Sequence, residues 1–285
     1  MSDAIAACLA GALSADLAIA RCLLQGESAA TLRARIAQAR TDSAAWHALD
    51  RLCAEAGLLE RLQHMIAAAS VDHAGPRDPA AVAAMFDRAV AVSPEASVAL
   101  YSLGDPDRLA TATQEVIAWL RSARWLRPDM DVLDLGCGIG RLIAELASQA
   151  RSVTGLDVSA RMIAEATRRC AGWTNVRLLV GSGHDLAELA NASQDLVLAV
   201  DSVPYLVQAG VADLHAAEIA RVLRPNGVWV ILNLAYGWPR EAEIATATAW
   251  CERFHFVPRL LGDAPFRHWD ASGFVLQKPD WMDFS

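Results

Sequence analysis

The chain has 285 residues, 54% of them hydrophobic and 20% charged, with a net charge of -8 at pH 7. That is enough to bury a full core in one large domain plus a small one, and it leaves no excess of cations to displace counterions from a nucleic-acid backbone. Lys278 is the only lysine and the arginines are scattered, so no polybasic cluster marks an anionic membrane surface.

In chain order, the first stretch, MSDAIAACLAGALSADLAIA, is apolar but has no basic leader and is interrupted by Asp3 and Asp16. It reads as the first helix of a cytoplasmic protein rather than as a signal peptide. Leu9, Leu13, Leu17 and Ile19, then Leu49, Leu52, Leu58, Leu59 and Leu62, follow helical spacing and predict three or four short helices between residues 3 and 70. Ser28 and Ser43 are the expected N-caps. VDHAGPRDPAA, residues 71–81, has the composition of a linker. The division expected is a helical N-terminal domain, 1–75, acting as cap, docking module or dimerisation surface for a homodimer, and a second domain, 76–285. Residues 76–125 of the latter form lead-in helices near 79–92 and 108–124.

From residue 130 short β-branched runs alternate with amphipathic segments: DVLDLG, SVTGLDV, NVRLLVG, DLVLAVD and GVWVILNL. This predicts a doubly wound, mostly parallel α/β sheet. FHFVPRLLG and GFVLQK follow with no helical crossover between them, which predicts an antiparallel hairpin at one edge. Cys8, Cys22, Cys53, Cys137, Cys170 and Cys251 stand far apart, with no Cys-x-x-Cys pair and no histidine at zinc-ligand spacing. Reduced, mostly buried thiols and no metal site are expected.

The first run ends in VLDLGCGIGR, residues 132–141. Gly136, Gly138 and Gly140 let the backbone turn sharply and approach a ligand at the mouth of a helix whose first N–H groups are unpaired; three glycines that merely permit close helix packing are the alternative. Asp157 ends the next run about 20 residues on, the distance at which a carboxylate in such a fold takes ribose hydroxyls. The Gly-x-Gly-x-Gly spacing, with Arg141 following, departs from the Gly-x-Gly-x-x-Gly of dinucleotide sites. Asp134, two residues before the first glycine, repels a pyrophosphate but suits an ammonium group.

VLDLGCGIGRL, VTGLDVSARMIAEA, SQDLVLAVDSVPYL and EIARVLRPNGVWVI, in that order, resemble the motifs of the class I S-adenosylmethionine-dependent methyltransferases. The resemblance covers residues 125–235 and says little about residues 1–75. It implies a seven-stranded, mostly parallel sheet with the last strand antiparallel, and S-adenosyl-L-methionine as cofactor. Carried over by position, it implies that Asp134 and the backbone from Gly136 through Cys137 and Gly138 to Gly140 hold the methionine portion. It gives both ribose hydroxyls to Asp157 and packs Val158 and Met162 on the adenine. Where the family has an acidic residue after the third strand, this chain has Ser182, followed by Gly183 and His184; Ser182 or Asp185 substitutes, with His184 beside the ring. Asp201 and Ser202 fall where the chain passes the methionine portion and faces the acceptor. Tyr101 either caps the methionine carboxylate or packs one helix on another.

The reaction expected is methyl transfer to a small-molecule acceptor at oxygen or nitrogen. A protein methyltransferase that docks its substrate on the N-terminal helices is the first alternative, a non-catalytic cofactor-binding or dimerisation protein the second, and a nicotinamide oxidoreductase is disfavoured by the glycine spacing. Tyr205 and His268 are the candidate bases, and Tyr205, Tyr236, Trp238, His268 and Trp269 the candidate substrate pocket. His255 reads as a solvated strand position between Phe254 and Phe256, and His47, His64, His73 and His215 as helical surface. Trp119, Trp229 and Trp250 read as core.

Overall fold

The computed structural model describes residues 3–69, 78–263, 266, 269 and 271–280. The chain divides into two compact units, one of Met1–Val71, Arg88–Ala112 and Phe266–Asp270, the other of Asp72–Asp87, Thr113–Pro265 and Ala271–Ser285. The first unit therefore extends beyond the boundary expected at residue 75: its helical packing continues through 88–112. The linker expected over 71–81 lies outside the described residues as far as 77.

The first unit opens with α1 (Ala4–Leu9), α2 (Ala15–Leu24), α3 (Ala29–Gln38), α4 (Ala44–Ala54) and α5 (Leu58–Ala69). Each of the first four starts at a short polar side chain that accepts from its first turn: Asp3 from the Ile5 N–H, Ser14 from Leu17, Ser28 from Thr31 and Ser43 from Trp46. Ser28 and Ser43 are thus the caps expected. The apolar stripes meet on Ile19, Leu32, Ile36, Leu49 and Leu59, all essentially inaccessible, and the Trp46 indole N–H donates to the Ile36 carbonyl at 2.8 Å. Next come α6 (Pro79–Val92), whose first nine residues belong to the other unit, α7 (Pro94–Val98), a 3-10 turn (Leu100–Ser102) and α8 (Pro106–Ser122).

The second unit is built on β1 (Asp131–Leu135), β2 (Ser152–Asp157), β3 (Val176–Val180), β4 (Gln194–Val200), β5 (Leu223–Leu232), β6 (Val257–Asp263) and β7 (Gly273–Gln277). Its helices are α9 (Arg141–Leu146), α10 (Ala160–Arg169), α11 (Val203–Gln208), α12 (Ala212–Val222) and α13 (Arg240–Phe254). The strands lie in the order β3-β2-β1-β4-β5-β7-β6, the first five parallel and β7 antiparallel to both β5 and β6. The expected hairpin is present, with β7 inserted against β5 and β6 outermost. The β6–β7 register shifts twice, once beside Pro258 and once before Asp263.

Because β1 alternates, Leu133 and Leu135 face one layer, with Val197, Trp229, Ile231 and Phe274 of neighbouring strands, and pack on Ile219 and Val222 of α12 and Trp250 of α13. Trp229 and Trp250 stack at 5.2 Å in that core, as expected; Trp119 is half-buried, edge-on to Trp125. Two histidine expectations are corrected. His255 is not in a strand: it ends α13 in the left-handed conformation at φ 58°, and β6 begins two residues later. His215 is not at the surface but 1% exposed, on the stripe of α12 that carries Ala216, Ile219 and Val222, with Nδ1 3.1 Å from the Val211 carbonyl; burial pushes its pKa down. His47 and His64 are exposed, and His73 lies outside the described residues. All six cysteines are free and buried.

Candidate functional site

Parallel strands present their C-terminal ends to one side, and β1 and β4 are where the sheet changes direction of winding. The turn from β1 into α9 lies there. Gly136 sits at φ 75°, a conformation that L side chains rarely adopt, and a Cβ on it would collide with Cβ of Ser202, at the end of β4. Gly140, at φ 74°, is the N-cap of α9, and a Cβ there would come within 3.0 Å of Cβ of Ala166 on α10. Gly138, between them, turns its N–H to the Asp157 carboxylate, 2.8 Å away.

Three carboxylates converge on this edge, Asp134 and Asp157 buried and Asp201 half-buried, none of them in an ion pair among the described residues. Asp134 is 1% exposed, and its Oδ2 has no hydrogen-bond partner among the described residues. Burial, reinforced by the charge of Asp157 and opposed by that of Arg141, pushes its pKa up to about 7. Asp157 accepts from the Gly138 N–H at one oxygen and the Ser159 N–H at the other, both at 2.8 Å, yet burial still raises it to about 6. Asp201, in the left-handed region at φ 57°, accepts from the Asn233 amide at 2.7 Å and the Tyr236 hydroxyl at 2.9 Å, and burial raises its pKa too. Beside it the Ser202 hydroxyl is buried without a partner among the described residues. An edge with a lone buried carboxylate oxygen, a lone buried hydroxyl and a second carboxylate oriented by two backbone N–H groups fits a ligand that carries both a cation and hydroxyls.

Of the residues expected at the cofactor, Asp134, Gly136, Cys137, Gly138, Gly140, Asp157, Val158, Met162, Asp201 and Ser202 lie on this edge. Met162 is 1% exposed, in the first turn of α10. The Cys137 thiol is held protonated, its pKa raised by burial and by Asp157 and Asp134. After β3, Ser182 is exposed; its hydroxyl lies 3.2 Å from the Asp185 carboxylate and accepts from the His184 N–H. Gly183 is buried against Pro79 and Val158. Tyr205 sets its ring edge-on to Tyr236 at 5.8 Å and to Phe86 of α6 at 5.1 Å. Trp238 is 44% exposed. Tyr101 and Trp269 belong to the first unit, where their rings stack on each other at 5.9 Å, and His268 lies outside the described residues.

Sequence reasoning gave no role to Arg141, Asn233 or Asp87. Arg141, directly after the last glycine, is 7% exposed, donates to the Thr113 hydroxyl at 3.1 Å and lowers both Asp134 and Asp201 electrostatically. Its place in the motif was the available signal. Asn233 ends β5 at φ 65°, and an asparagine closing an apolar run is the residue type that tolerates that geometry.

Residues 132–227 match the methyltransferase domain family. The chain is 31% identical over 128 residues to a cyclopropane-fatty-acyl-phospholipid synthase of Escherichia coli strain K12, covering 45% of this chain and 32% of that one. It is 33% identical over 154 residues to an O-methyltransferase of Pyrenophora dematioidea, covering 52% and 54%. A Haemonchus contortus phosphoethanolamine N-methyltransferase, solved with phosphoethanolamine and S-adenosylhomocysteine, superposes with a TM-score of 0.50 at 16% identity over 70% of this chain and 49% of that one. The chain spans from a third to about half the length of these relatives. The sheet unit has the class I S-adenosylmethionine-dependent methyltransferase fold. The match to the methyltransferase domain, 132–227, falls within this sheet unit.

Proposed function

We propose that this protein is an enzyme that binds S-adenosyl-L-methionine and transfers its methyl group to a small-molecule acceptor at oxygen or nitrogen. The observation that carries the reading is Asp134, a buried carboxylate with an unpartnered oxygen beside the glycine turn. It suits an ammonium group, and a second carboxylate, Asp157, stands ready for a diol.

The cofactor supplies an activated methyl on a sulfonium centre. Asp134 and the backbone of the 136–140 turn hold the amino-acid end, Asp157 takes the ribose hydroxyls, and Val158, Met162, Gly183, Ser182 and His184 border the adenine. Asp201 and Ser202 line the passage to the acceptor, and Tyr205, Tyr236 and Trp238 form its aromatic wall. The residues' chief task is alignment, which is worth roughly 7–11 kcal/mol of a displacement barrier. For a hydroxyl acceptor, Asp201, with its pKa raised and the Tyr236 hydroxyl bonded to it, is the proton acceptor nearest that wall. The relatives named as O-methyltransferase and demethylmenaquinone methyltransferase support a small-molecule acceptor.

Calorimetry of S-adenosylmethionine with the wild type and Asp157→Ala, with NADH as control, tests the reading. Binding that Asp157→Ala abolishes is expected, followed by release of S-adenosylhomocysteine when acceptor sets of phenols, hydroxy acids and amines are screened. A preference for NADH, or no binding of S-adenosylmethionine, overturns it.

A further inference from the structure

Asp87, on α6, lies 72 positions before Ser159 in the chain, yet its Oδ1 accepts from the Ser159 hydroxyl at 2.6 Å and from the Arg161 N–H at 3.1 Å. The Arg161 guanidinium reaches back to the Asp87 carbonyl at 3.5 Å. Ser159 is the N-cap of α10 and is completely buried. Its hydroxyl oxygen accepts from the Met162 N–H at 3.1 Å, its hydroxyl proton goes to Asp87, and its backbone N–H points at Oδ1 of Asp157. A carboxylate from another element therefore occupies the N-terminus of α10, where negative charge is favoured, and it fixes the rotamer of the residue that aims a donor at Asp157. At the start of α6, Pro79 stands so close to Gly183 that a Cβ on that glycine would come within 2.6 Å of the proline ring and 2.8 Å of Val158. The first nine residues of α6 thus rest on both turns that flank the adenosine side of the edge.

We propose that Asp87 is a positioning residue for the ribose of the cofactor, acting through Ser159 to hold Asp157 in the orientation that receives both hydroxyls. The inference rests on the cofactor reading given above. Removing the Asp87 carboxylate leaves the Ser159 hydroxyl buried without an acceptor for its proton, so the hydroxyl rotates and the turn carrying Asp157 loosens. The Asp87 charge also faces Asp157 and contributes to its raised pKa.

The test is a comparison of two ligands, S-adenosylhomocysteine and its 2′,3′-dideoxy analogue, binding to wild type, Asp87→Ala, Asp87→Asn and Ser159→Ala, with circular dichroism melts to verify folding. Asp87→Ala and Ser159→Ala are expected to weaken S-adenosylhomocysteine about tenfold, the scale of one hydrogen bond to a charged group, and to leave the dideoxy analogue unchanged. Asp87→Asn keeps an acceptor oxygen and is expected to stay within about threefold of wild type. Equal losses for both ligands, or no loss for either, overturn the proposal while leaving the cofactor reading intact. Failure of the wild type to bind S-adenosylhomocysteine overturns both. Should Asp87→Ala not fold, Ser159→Ala and Asp87→Asn read the same contact from its other side.

Discussion

Asp131 and Asp134 are three residues apart on β1, and they meet opposite fates. Asp131, at the N-terminal end of the strand, is gripped by the Arg151 guanidinium, by the Ser152 hydroxyl at 2.7 Å and by Arg224 at 2.8 Å. These partners hold its carboxyl well below the usual range, Arg151 foremost. Arg224 also bonds Asp195 at 2.7 Å, tying β4 to β1. At the C-terminal end of the same strand Asp134 is more deeply buried, has an oxygen with no partner among the described residues and is pushed up to about 7. One end of the sheet spends its carboxylates on cohesion and the other holds them in reserve. A buried acid left short of partners costs stability, which makes that edge the candidate site for a ligand.

The largest effect that sharpens this contrast is Asp157→Ala, expected to weaken S-adenosylmethionine by about 100-fold or more by calorimetry, since two hydroxyl bonds to a charged acceptor are lost together. Next is Gly136→Ala, expected to destabilise by about 2–4 kcal/mol in chemical denaturation, from the left-handed φ and the collision with Ser202. Adding Ser202→Gly to that variant should recover the collision's share and leave about 1 kcal/mol for the backbone. If Gly136→Ala melts like wild type, the turn is not as tight as drawn.

Asp134→Asn tests the reserve directly. A carboxyl whose folded pKa lies above its unfolded value loses stability as pH climbs from about 4 to about 7. The amide removes that loss, so the ligand-free variant should melt higher than wild type at pH 8 while binding S-adenosylmethionine about 10- to 100-fold more weakly. Wild-type affinity should rise through pH 6 to 7 as Asp157 and Asp134 ionise and then level off. A lower melting temperature for the variant at pH 8 would contradict the assignment. The smallest effect belongs to the opposite edge. Arg224→Ala should cost about 1–2 kcal/mol at pH 7, discounted for the partial exposure of Arg224, and leave cofactor affinity unchanged. Because the Asp131 pKa is lowered, this loss should shrink in strong acid, where the carboxyls take up protons in wild type as well.

What was legible in the sequence was local. The glycine turn and Asp134 lie within one short motif, the Ser28 and Ser43 caps act three residues ahead, and Asp157 follows at a separation set by one helix and one strand. The misreadings have local causes as well. Phe254, His255 and Phe256 imitate strand alternation although the chain there is unwinding from a helix. His215 was read by polarity, while its spacing to Ala216, Ile219 and Val222 already placed it on the buried stripe. What no pattern carried were contacts made by topology. Asn233 and Tyr236 reach Asp201 because β5 lies beside β4, and Asp87 reaches Ser159 only once α6 lies on α10. Of the expected pocket, Tyr205 and Tyr236 meet edge to face, Trp238 is partly exposed, and Trp269 stacks on Tyr101.

The outermost strand, β6, bears on how copies of this chain meet. Pro258 has no N–H to offer, Arg259 is exposed beside it, and two register shifts break the regular spacing of the ladder. An incoming strand would find an interrupted row of donors and a charge in its path. The sheet therefore terminates at this edge by its own chemistry, which disfavours both a continuous intermolecular sheet and growth of fibres from that side.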